Sequence, residues 1–138
     1  MPYLIGVILA LAVGVLASVV GFDRDRAFYP TVMIVIASYY VLFAVSGGAA
    51  DIIAIEVAIM AVFAGLAIAG FKRSLWLVVA ALAAHGLFDW LLAPQIANAG
   101  VPPWWPPFCL AYDVVAAAYL AQRLMRAPRP ACEPSLGN

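Results

Sequence analysis

Charge is scarce in this sequence. Only 10% of its 138 residues are Asp, Glu, Lys or Arg, where a soluble domain carries about 25%. So few charges cannot clothe a surface that faces water. Since 67% of the residues are apolar, the surface must face lipid instead. Seven basic residues against seven acidic ones leave no net charge, which excludes the basic field of a nucleic-acid binder. Histidine occurs once. Cysteine occurs twice, as Cys109 and Cys132, in no CxxC or zinc-like spacing. The topology argued below puts these two near opposite sides of the membrane, too far apart for a disulfide. Two free thiols are expected, one of them packed as a small apolar residue. Basic residues are also missing ahead of Tyr3. A secretory signal needs them, together with an apolar core of only about 7–15 residues. The first apolar run is longer, about 20 residues, which suits a retained helix.

Long apolar runs are what the sequence has instead. Five are long enough, or nearly so, to cross the hydrocarbon as helices: Tyr3 to Phe22, Phe28 to Ser46, Ala49 to Phe71, Leu75 to Ala93 and Pro107 to Leu124. The fold expected is therefore an all-α integral membrane bundle of five transmembrane helices. Residues 1–125 read as one transmembrane domain. Residues 126–138, with Pro128, Pro130 and Pro134, read as a disordered cytoplasmic tail.

Orientation follows from the basic residues. With five spans, Arg24, Arg26, Lys72, Arg73, Arg123, Arg126 and Arg129 all fall on one side. The other side carries Gly47, Gly48, Asp51 and the loop Pro94 to Pro106, with no Lys or Arg. The positive-inside rule makes the charged side cytoplasmic, so the N-terminus lies outside and the C-terminus inside. AspArgAspArg (Asp23 to Arg26) and LysArgSer (Lys72 to Ser74) then read as cytoplasmic turns and topology anchors. Trp90, Trp104 and Trp105 mark an outer aromatic belt and Trp76 an inner one. Pro30 sits near the start of the second helix, where its missing N–H costs little.

Two helices carry small residues at helical spacing. Gly6, Ala10, Gly14 and Ser18 form a stripe on the first, which lets another helix approach closely, within the bundle in preference to a dimer. Ala50, Ala54, Ala58, Ala61, Gly65 and Ala69 are expected to be packing positions on the third.

Ionisable groups inside a bilayer cost about 2.5–3.5 kcal/mol or more at its centre. Glu56, His85, Asp89 and Asp113 are placed there. At 1.5 Å per residue, Glu56, Asp113 and Tyr40 come out roughly 10 Å below the outer surface, His85 near 13 Å and Asp89 near 7 Å. Residues of four helices thus converge on one level in the outer half of the bilayer. His85 and Asp89 are i and i+4 and share a face. Asp113 shares its face with Cys109, Ala116 and Ala117, and Glu56 with Ile52, Ile59, Met60 and Phe63. Each polar residue is alone on an apolar helix and should point inward, so that Glu56, His85, Asp89 and Asp113, with Tyr40, line one cavity open to the outer face.

Three functions compete for such a site. Carboxylates crowded in a low dielectric cannot all stay ionised, which suits the binding or passage of a proton, a metal ion or a small polar ligand. One histidine with carboxylates is also a ligand set for a divalent metal such as Zn, Mn or Fe, with His85, Glu56 and Asp113 as candidates. The inner half of the bundle reads as almost purely apolar, which favours a one-sided pocket over a channel. The second function is a membrane-embedded enzyme, metal-dependent or not, acting on a lipid-soluble substrate, with His85 as a base oriented by Asp89. Ser38 is its candidate nucleophile by depth, although a lone helical serine usually bonds back to its own backbone. The third is a purely structural network in a small accessory subunit. The bilayer is the partner expected in every case, with a homo-oligomer or a larger membrane complex left open.

ArgAspArgAlaPheTyrProThrVal (Arg24 to Val32), HisGlyLeuPheAsp (His85 to Asp89) and TrpTrpProProPheCysLeuAlaTyrAsp (Trp104 to Asp113) together resemble a group of small bacterial multi-pass membrane proteins to which no activity is attached. The resemblance implies a bacterial plasma (inner) membrane and nothing about chemistry. Membrane hydrolases of the ceramidase type gather several histidines at a metal, and this chain has one. Sterol-isomerase-like bundles use a histidine with paired glutamates, but their motifs do not match.

Overall fold

The structure is a computed structural model that describes residues 1–127; the expectations for Pro128, Arg129, Pro130, Cys132 and Pro134 lie outside the described residues. It is all-helical: α1 Pro2–Val20, α2 Phe28–Gly47, α3 Ala50–Lys72, α4 Leu75–Leu91 and α5 Trp105–Arg126, with one-turn 3-10 segments at Phe22–Arg24 and Ala93–Gln95. Five segments are long and apolar enough to cross a membrane.

Local chemistry sets the ends. α1 stops at Val20 because Gly21 takes a left-handed conformation (φ 91°) and returns its N–H to Ala17 O. Gly48 (φ 77°) ends α2 in the same way on Ala44 O. Ser74 caps α4, its hydroxyl accepting the Trp76 N–H. α5 begins two residues before the expected Pro107, since Pro106 and Pro107 occupy a first turn whose N–H groups need no helical partner. It also runs past its expected end at Leu124, so that Arg126, expected in the tail, is helical.

α1 runs parallel to α5 and packs on it through small residues, which confirms a role in the bundle for the Gly6 stripe. Gly6, Ala10, Gly14 and Ala17 are buried there. A Cβ on Gly6 would lie 2.5 Å from Phe108 O, and one on Gly14 would lie 3.1 Å from the Tyr119 ring. α5 in turn packs on α4, α4 on α3, and α3 on α2. The ring is left open between α1 and α2. The core between the helices gathers Met33, Phe63, Ala67, Val78, Leu82, Ala117 and Leu120.

α3 corrects one expectation. Ala50, Ala54, Ala58, Ala61 and Gly65 face outward, and a Cβ on Gly65 would meet nothing. The buried face carries Glu56, Phe63, Ala67 and Gly70 instead. In lipid an alanine gains little by being buried, whereas a carboxylate must be. Glu56 therefore sets the rotation of α3.

The alternation of helices puts Arg24, Arg26, Lys72, Arg73, Arg123 and Arg126 at one end of the bundle. The other end holds the Gly48 turn and the 92–104 loop. Trp76, Trp90 and Trp104 are exposed near the ends of their helices, as interface anchors should be.

Candidate functional site

The sequence HisGlyLeuPheAsp lies on α4, and its glycine makes the site. A Cβ on Gly86 would stand 3.0 Å from Asp113 Cβ and 3.3 Å from Leu110 Cα. With hydrogen there, α4 and α5 approach closely enough for the Nδ1–H of His85 to donate to Asp113 Oδ2 at 2.8 Å. One turn along α4, Asp89 Oδ2 lies 3.4 Å from the same nitrogen. One ligand atom from each of His85, Asp89 and Asp113 fits within a 4.8 Å group. His85 is 2% exposed and the two aspartates 0%. The Phe63 ring meets His85 edge-on at 4.7 Å between centroids, and Tyr40 lies at 6.3 Å.

The trio is incompletely satisfied. The Tyr40 hydroxyl and the Cys109 thiol sit beside Asp89. Yet Oδ1 of Asp113 has no hydrogen-bond partner among the described residues. Buried polar atoms normally have one. The charge is unbalanced too, because two carboxylates face a single imidazole. Even with His85 protonated, one negative charge remains unless a proton or another cation neutralises it.

Glu56 and Tyr40 are buried, as their isolation on apolar helices predicts. Glu56 does not join the trio. It turns toward the 92–104 loop, where Asn98 Nδ2 donates to its Oε1 at 2.9 Å and to Tyr40 O at 3.2 Å. The candidate metal ligands are therefore His85, Asp89 and Asp113, with Asp89 in the place expected for Glu56. Ser38 bonds back to Val35 O at 2.6 Å and stands apart as a nucleophile.

The expected cavity is in a different place. The loop carrying Asn98 closes over the end of the bundle opposite the basic residues, with Gly100 pressed against the Phe43 carbonyl and Gly47 against Gly100. The largest cavity described is an apolar groove of about 640 Å³ between α2 and the α1–α5 pair. None of Glu56, His85, Asp89 or Asp113 lines it, but Cys109 does.

Two features escaped the sequence. Asn98 is one carboxamide in a Pro- and Gly-rich loop, with no periodicity to show that it turns inward. At the basic end, Asp23 accepts from Ser18 Oγ at 2.6 Å and pairs with Arg123, which also donates to Ser18 Oγ at 2.9 Å; Tyr119 Oη completes the group at 2.8 Å from that oxygen. The Asp23 side chain is 1% exposed. Its sign was legible, since an anion stands amid basic residues at a helix end, but its partner 100 residues away was not.

No protein-family model, curated protein or solved structure matches this chain.

Proposed function

We propose that this chain is an integral protein of a bacterial plasma membrane, with its N-terminus outside, whose His85–Asp89–Asp113 trio binds one small cation, a proton in exchange with a divalent metal. The observation that carries this reading is Asp89. Its carboxylate is wholly buried, its neighbours Tyr40 and Cys109 bring no positive charge, and it faces an imidazole already engaged by Asp113.

The geometry suits a metal. Ligand atoms about 2.1 Å from a tetrahedral ion stand about 3.4 Å from one another. Here His85 Nδ1 lies 2.8 Å from Asp113 Oδ2 and 3.4 Å from Asp89 Oδ2. Small adjustments would place the three around one ion and leave a fourth position open. The metal would replace the Nδ1 proton, so its uptake should release a proton. The grouping of basic residues at one end of the bundle supports the orientation.

A second reading, an enzyme acting on a lipid-soluble substrate, draws on Cys109. This thiol lines the apolar groove and stands beside Asp89, so a molecule in the groove comes within one side chain of the trio. His85 would then be the base and Asp89 the group that orients it.

Elemental analysis by mass spectrometry tests the first reading, on detergent-purified protein loaded with Zn²⁺ or Mn²⁺. One equivalent in the wild type, lost in His85→Ala, Asp89→Asn and Asp113→Ala, with proton release on loading, supports it. No uptake and no proton release would leave a structural network.

A further inference from the structure

We infer that the groove between α1 and α2 is a binding site for one chain of an anionic phospholipid, with the phosphate held at Arg24 and Arg26. The inference does not rest on the cation site.

The groove exists because α1 packs on α5 and hardly meets α2. Its walls are apolar and aromatic, with Leu9 on α1, Val32, Val35 and Tyr39 on α2, and Phe108 and Tyr112 on α5. It opens sideways between spans, where only the bilayer has access. Its volume of about 640 Å³ lies within the range of about 300–1,000 Å³ usual for small-molecule sites.

Length and charge specify the occupant. α2 lines the groove from Phe28 to Tyr39, about 17 Å of helix rise. One leaflet's hydrocarbon is half of the roughly 30 Å core, about 15 Å. The groove therefore accommodates a chain from one leaflet, entering from the end where Phe22 and Asp25 form the mouth. Arg24 and Arg26 are the neighbours of Asp25 in the chain, next to that mouth but not among the groove's lining residues. Both are exposed, and among the described residues neither is in an ion pair. Asp25, the acid at the mouth, already accepts the Ala27 N–H at 3.0 Å. Asp23 is engaged by Arg123. Asp25 keeps its charge, but with Asp23 paired to Arg123 the two arginines outnumber it, so the net charge beside the mouth is positive and complementary to a lipid phosphate. At the far end Tyr39 and Trp105, with rings 5.1 Å apart, close the groove.

The test is photocrosslinking of the full chain in phosphatidylcholine nanodiscs containing a small fraction of a chain-labelled diazirine lipid, either phosphatidylglycerol or phosphatidylcholine. Adducts should concentrate on Leu9, Val35, Tyr39 and Phe108, with phosphatidylglycerol preferred. Val35→Trp fills the groove from its exposed rim without entering the core, and should lower the yield roughly tenfold by excluding the chain. Val62→Trp, exposed on α3, should not. Each arginine near an anionic lipid is worth about fivefold in affinity, so Arg24→Gln/Arg26→Gln should remove the phosphatidylglycerol preference while leaving adducts in the groove. Equal yields from the two probes in the wild type would overturn the headgroup assignment. Adducts spread evenly over α3, or unaffected by Val35→Trp, would show ordinary boundary lipid and overturn the site. Groove adducts that form in nanodiscs holding one copy and vanish in nanodiscs holding two would show a second chain as the occupant and also overturn it.

Discussion

Exchanging Gly6 for alanine adds one methyl group, and the structure says where it goes. The new Cβ would stand 2.5 Å from Phe108 O, 3.0 Å from Ala111 Cβ and 3.1 Å from Tyr112 N. Every one of these is backbone or Cβ, so no side chain can swing aside. A carbon approaches a carbonyl oxygen to about 3.3–3.6 Å, so α1 must retreat by about 1 Å. That retreat loosens the seam as far as Gly14 and Tyr119. Within a membrane such close packing is a main source of helix–helix attraction. Overpacking of this kind costs about 1–3 kcal/mol, against a helix-propensity gain of at most about 1 kcal/mol. Gly65→Ala is the matched control, because its Cβ meets nothing within 4 Å and only the propensity gain remains. The two variants should therefore differ by about 2 kcal/mol, Gly6→Ala below wild type and Gly65→Ala at or above it. SDS-induced unfolding in mixed micelles, followed by tryptophan fluorescence and circular dichroism, measures both. If Gly6→Ala were as stable as Gly65→Ala, the close α1–α5 contact and the glycine argument built on it would be wrong.

The same assay checks two buried polar contacts. Asn98→Ala leaves Glu56 Oε1 and Tyr40 O without their donor and should cost about 1–3 kcal/mol; Asn98→Asp, which sets a second carboxylate against Glu56, should cost more, and equal losses would mean that Asn98 does not serve Glu56. Arg123→Ala strands the Asp23 carboxylate and should cost about 1–3 kcal/mol, less than the ~3–5 kcal/mol of a fully buried pair because the Arg123 side chain is 35% exposed. Adding Asp23→Asn should recover part of that loss, and a double variant no more stable than Arg123→Ala alone would count against the pairing.

The sequence by itself determined the parts governed by solvation. Too few charges for a water-facing surface, and five apolar runs, required five membrane-length helices, and their ends fell within a few residues of the expected ones. Gly21, Gly48 and Ser74 end or cap helices by local chemistry that needs no distant neighbour, although the expected first span ran past Gly21 to Phe22. Glu56, His85, Asp89 and Asp113 had to turn inward because lipid cannot solvate them, and all four are buried.

Tertiary structure decided which partners those inward groups meet. An apolar residue gains almost the same from lipid as from a helix neighbour, so hydrophobic pattern says little about which face is inside. That is why the alanines of α3 suggested a packing face that the bundle leaves outside. It is also why the opening between α1 and α2 had no signature in the sequence. The choice of Asp113 as the imidazole's partner depends on the close approach of α4 and α5 at Gly86. The diversion of Glu56 depends on a loop residue, Asn98, folding back into the bundle. Distances between helices and the path of a loop arise from the packing of all five helices together, and no single helix's periodicity contains them.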